Sequence, residues 1–84
     1  MFPIAWQPPL RPLAQTTIKI VVEMLKDCAP GFSIEMKTHF RHVHFAGRTY
    51  PSFPKHDDPD VFNVRKLARF FGILECAKKH IPSI

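Results

Sequence analysis

The sequence predicts one small α+β domain in the order helix, three antiparallel strands, helix, with both helices on one face of the sheet. Two observations carry this. Apolar residues recur at helical spacing in Thr16–Cys28 and again in 61–71, and between them residues 32–53 alternate apolar and polar around a Gly-containing turn. At 84 residues there is room for one core and not two. An ordinary hydrophobic fraction of 45% with eight Phe argues for a folded chain.

The first helix is expected from Thr16, as N-cap, to Cys28. Ile18, Val21, Val22 and Leu25 share a face opposite Lys19, Glu23 and Lys26, and Ala29-Pro30-Gly31 stops the run. In Phe32–Lys37, Phe32, Ile34 and Met36 alternate with polar residues, as in a half-buried strand. The phase then changes. Arg41 shares the parity of Val43 and Phe45, whereas His42 and His44 share the opposite face with Phe40. Ala46-Gly47-Arg48 reads as a hairpin turn, and Pro51 confines the third strand, Thr49–Phe53, to an edge or an interruption. Asp58 and Pro59 read as N-cap and first residue of a second helix. That helix carries Val61, Val64, Leu67, Ala68 and Phe71 inward and stops at Gly72. A short helix, Leu74 to His80, follows.

Residues 1–13, with Pro3, Pro8, Pro9 and Pro12, read as a proline-rich arm that Trp6 anchors, ahead of a single domain over 14–84. The arm lacks a basic leader and a continuous apolar run, so no signal peptide is expected, and no stretch is long enough to span a membrane. Cys28 and Cys76 match no zinc spacing and are expected as reduced thiols of a cytoplasmic protein.

Twelve Lys and Arg against seven acidic residues give a net charge of +5, which points to a polyanionic partner. Four of the five histidines, His39, His42, His44 and His56, fall in the middle segment beside Arg and Phe. Three uses of them stay open. His42 and His44 point the same way on a strand and, with Asp57 or Asp58, could ligate a metal, though no closed ligand set is evident. Histidine is also suited to acid–base cleavage of RNA, its ordinary pKa lying near neutrality. Arg41, Arg48, Lys55, Arg65 and Arg69 would then hold the phosphate. Phe40, Tyr50 and Phe53 are candidate stacking platforms. The third use is a solvated basic surface with no chemistry.

The stretch Thr38-His39-Phe40-Arg41-His42-Val43-His44-Phe45-Ala46-Gly47-Arg48 resembles the catalytic strand and turn of HicA-type mRNA interferase toxins. Pro54-Lys55-His56 resembles their Pro-basic-His element, and Val64–Ile73 their closing helix with its Gly-aliphatic end. The likeness spans residues 16–73. Lys37 and Thr38 stand where the family has Gly and Ser, and one extra residue lies between Gly47 and Pro54. The resemblance implies a fold like that of double-stranded-RNA-binding domains and a cofactor-free endoribonuclease acting on mRNA. It further implies His39 as the catalytic residue and an acidic antitoxin that covers the site. His42, His44 and His56 are the candidates to assist it. The alternative from the residues is a small basic module without catalysis, either an RNA binder or a phage or mobile-element inhibitor docking on a protein.

Overall fold

The computed structural model describes residues 16–84, so the proline-rich arm, Trp6 and the boundary at residue 13 lie outside the described residues. The elements are α1 (Ile18–Cys28), β1 (Ser33–Met36), β2 (Arg41–Phe45), β3 (Arg48–Phe53), α2 (Val61–Phe71) and α3 (Leu74–His80). The strands form an open antiparallel sheet in the order β1-β2-β3. The α-β-β-β-α layout is thus the one expected, with α3 appended. No helix among the described residues is long and apolar enough to cross a membrane.

α1 is capped by Thr17, whose Oγ1 accepts from the Ile20 N–H at 3.3 Å, and not by Thr16. Thr16 is buried, and its N–H donates to the Pro59 carbonyl at 3.0 Å. The Ile18 N–H donates to the Asp57 carbonyl at 2.7 Å. The start of α1 is thereby stitched to the loop ahead of α2. The same stitching displaces the expected cap of α2. With the 57 and 59 carbonyls committed to α1, the helix begins two residues later. Asp60 caps it, its Oδ1 accepting from the Phe62 N–H at 2.8 Å.

At its other end α2 closes as expected. Gly72 adopts φ 72°, and the N–H groups of Gly72 and Ile73 return to the carbonyls of Arg69 and Ala68. The predicted inward face, Val61, Val64, Leu67, Ala68 and Phe71, is the observed one. It meets Val21, Met24 and Leu25 of α1, Val43 and Phe53 of the sheet, and Ala77 and Ile81 around α3 in one cluster. Val43 and Phe53 point from the sheet toward this cluster, which leaves the His42 and His44 face without cover from the described helices.

β1 is shorter than expected and less buried. Ile34 is only half-buried, and Met36 is 56% exposed. An edge strand of four residues has a neighbour on one side only, and among the described residues no helix packs closely on it.

The β2–β3 connection is a two-residue hairpin. Phe45 pairs with Arg48, with Ala46 at φ 53° and Gly47 at φ 77°. Both central residues are left-handed, as a type I′ turn demands, and alanine is poorly suited to that conformation. Ala46→Asn is therefore expected to stabilise the fold by about 1 kcal/mol, read as a higher urea midpoint at unchanged slope. Further along the hairpin the register shifts. Arg41 pairs with Phe53 but Val43 with Tyr50, so Pro51 and Ser52 together oppose His42 in a bulge. Pro51 thus interrupts the strand at an edge, as its missing N–H requires.

Cys28 and Cys76 are joined in a disulfide between the end of α1 and α3, 48 residues apart, with Cα atoms 5.7 Å from each other. This corrects the expectation of two free thiols. Each cysteine looks isolated in sequence, and only the docking of α3 on α1 brings them together. A bond of this kind is typical of oxidising surroundings.

Candidate functional site

The bulge and the turn before β2 shape a groove of about 580 Å³ lined by His39, Phe40, Ser52, Pro54, Lys55, His56 and Asn63. One wall is the β1–β2 turn, closed by the Lys37 N–H donating to the Phe40 carbonyl at 2.9 Å. The other is the segment leaving β3, and the first turn of α2 supplies Asn63. A smaller groove of about 300 Å³ flanks it, lined by Lys37, Thr38, His39, Phe40 and His42. His39 and Phe40 therefore form a ridge between two depressions. Phe40 is 47% exposed, although a phenylalanine at the end of a strand would ordinarily be buried.

Three sets of contacts hold the walls. Lys55 crosses between them, its Nζ donating to the Thr38 carbonyl at 3.0 Å. Arg41 grips the His56 loop from below. Its Nη1 donates to the Pro54 carbonyl at 2.8 Å and to the His56 carbonyl at 3.0 Å, and its Nη2 lies 3.6 Å from an Asp57 carboxylate oxygen. Last, the bonds from Thr16 and Ile18 fix the far end of the loop to α1. His56 is exposed, with Nδ1 3.6 Å from an Asp58 oxygen.

The sequence candidates are thus divided. His39, His56 and Lys55 border one groove, and His42 borders its neighbour. Arg41 does not reach outward. Its side chain is only 7% exposed and its donors are spent on the loop, so the expected phosphate contact is instead a scaffold. His44 stands apart on the helix-free face, where Nδ1 meets Thr49 Oγ1 at 2.8 Å and Nε2 meets Glu35 Oε1 at 3.2 Å. Arg48 donates to the Phe70 carbonyl and lays its guanidinium 4.1 Å from the centre of the Phe70 ring. Arg65 lies 5.4 Å from the Phe62 ring centre, and Arg69 is exposed on the same helix. Neither these three arginines nor His44 line the grooves. Ser52 and Asn63 were not anticipated. Ser52 turns into the groove because of the bulge, and nothing in the local pattern sets Asn63 apart from any exposed first-turn residue.

On the helix-free face, Lys37 bonds Glu35 at 2.9 Å and His44 reaches it from the other side, and together these hold the Glu35 carboxyl below the usual range. A depressed carboxyl adds stability that is present above its ordinary pKa and is lost as pH falls through the lowered one. Glu35→Gln is therefore expected to flatten the acid-side decline of stability, seen by comparing urea midpoints at about pH 3 and about pH 7.

No family model, no curated protein and no solved structure matches this chain.

Proposed function

We propose that the protein is a metal-independent ribonuclease of the HicA type, and that the larger groove is its active site. The observation that carries the reading is the convergence of His39 and His56, distant in sequence, on one groove beside Lys55. One imidazole takes the proton from a ribose 2′-hydroxyl, whose oxygen attacks the adjacent phosphorus. The other gives a proton to the departing 5′-oxygen as its bond to phosphorus breaks. The products are a 2′,3′-cyclic phosphate and a 5′-hydroxyl. Lys55 uses one N–H on Thr38 and has two more to set against the charge that develops on the phosphoryl oxygens. The exposed Phe40 ring offers a platform for a base next to the scissile bond.

In this reading the substrate is mRNA in the cytoplasm, where the Cys28–Cys76 bond stands reduced, no cofactor takes part, and an acidic antitoxin is the protein partner. The alternative is a basic module that binds without cleaving. It shares the net charge of +5 but gives the paired histidines no task. Incubating labelled single-stranded RNA with the protein in chelator separates the two. The proposal expects cleavage that His39→Ala slows by about 10²–10⁴-fold. Binding with intact RNA, weakening steeply as salt rises, would favour the non-catalytic module.

A further inference from the structure

We infer that reduction of the Cys28–Cys76 disulfide opens a tetrahedral zinc site made by Asp27, Cys28, Cys76 and His80. The site lies away from both grooves and does not depend on the ribonuclease reading. In the cross-linked protein three of the four donors are already gathered, and Cys76 lies beside them. The carboxylate of Asp27, Sγ of Cys28 and a ring nitrogen of His80 all lie within 4.8 Å of one another. Nε2 of His80 is 2.9 Å from Asp27 Oδ2, and Sγ of Cys76 is 3.8 Å from that same oxygen. Four ligands at ordinary zinc bond lengths stand roughly 3.3–3.8 Å apart, so side-chain rotations suffice to bring this set onto one ion.

Local structure favours the same outcome. Cys76 and His80 are four residues apart on α3 and therefore share a helical face. Asp27 and Cys28 are adjacent in the last turn of α1, where unpaired carbonyls favour a cation. Two thiolates, an imidazole and a carboxylate form a closed set with no position left for substrate, which is the pattern of a structural zinc. Asp27 is largely exposed and the two cysteines and His80 are half-buried, so both a reductant and an ion have access.

The chemistry balances with a dithiol as reductant. The cystine accepts two electrons and two protons and becomes two thiols, while the dithiol closes to a cyclic disulfide. Zinc then binds the two thiolates and releases two protons. One cross-link between α1 and α3 is exchanged for another, and the choice follows the surrounding thiol poise.

Cobalt(II) reports on the site directly. Protein reduced with a dithiol, freed of it under anaerobic conditions and titrated with cobalt is expected to bind one equivalent. The spectrum should show tetrahedral d–d bands and thiolate-to-metal charge transfer, and zinc should displace the cobalt. The disulfide form should show neither band. Asp27→Asn and His80→Gln alter side chains at the rim of the fold. Each is expected to weaken binding more than about 10-fold, whereas His42→Gln with His44→Gln leaves it unchanged. The inference is overturned if the reduced protein binds no cobalt or binds it without charge transfer. Equal binding by the disulfide form, or no weakening in both Asp27→Asn and His80→Gln with helicity intact, would overturn it as well.

Discussion

Arg41→Met is expected to destabilise the protein by about 3 kcal/mol, a large share of what a domain this size has in hand. The guanidinium is the buried strut beneath the candidate active site. It satisfies the carbonyls of Pro54 and His56 at once, and among the described residues no other side chain donates to them. Methionine keeps the apolar stem and leaves both carbonyls facing a space without a donor, so the cost is mainly one of unmet hydrogen bonding. The nearby Asp57 carboxylate contributes little, being 92% exposed and 3.6 Å away. Arg41→Lys should recover only part of the loss, since the lysine stem is one bond shorter than the reach to Nη1, which meets both carbonyls, and the Nη2 contact with Asp57 is given up. Urea unfolding provides the check. A change within about 0.5 kcal/mol for Arg41→Met would mean that the loop holds itself. Because Arg41 positions His56, cleavage by the folded fraction of Arg41→Lys should also fall, with binding of RNA less affected.

The second large effect is on catalysis. His39→Ala and His56→Ala are each expected to lower the cleavage rate by about 10²–10⁴-fold, the usual worth of a positioned acid or base. Both side chains are exposed at the groove, so neither change should disturb the core. If the two act as partners in one reaction, the double variant should be little slower than the slower single variant, because removing either already forfeits the concerted proton transfers. Losses that multiply in full would mean separate roles. His44→Ala serves as the contrast. Held by Thr49 and Glu35 on the helix-free face, it should cut at close to the parent's rate.

Where structure is decided locally, the sequence was legible. The inward face of α2, its stop at Gly72 and the span of α3 follow from helical spacing and one left-handed residue, and all three hold. The hairpin at Ala46-Gly47 and the edge position of β3 follow equally from turn and proline chemistry. Features set by tertiary pairing were not legible. Asp58 and Asp60 are both sound caps, and the choice falls to Asp60 because α1 claims the preceding carbonyls. The two cysteines meet only through the docking of α3, which no spacing rule encodes.

Arg41 is the instructive case within the site. Its parity with Val43 and Phe45 placed it on the core face, yet its charge argued for solvent. Parity prevailed because two loop carbonyls wait for the guanidinium there. His39 and His56 reverse the situation. By strand parity His39 seemed separated from the other histidines, but the turn before β2 and the bulge at Pro51 swing it toward the loop that carries His56.

The central claim is that this groove cleaves RNA with two histidines and no metal. Its most direct measurement is the chemistry of the ends produced from a short single-stranded RNA by purified protein in excess chelator. The account predicts fragments ending in 2′,3′-cyclic phosphate and beginning with 5′-hydroxyl, formed by the parent about 10²–10⁴-fold faster than by His39→Ala or His56→Ala. RNA that stays intact, fragments with 5′-phosphate ends, or a His39→Ala variant cutting as fast as the parent would contradict it.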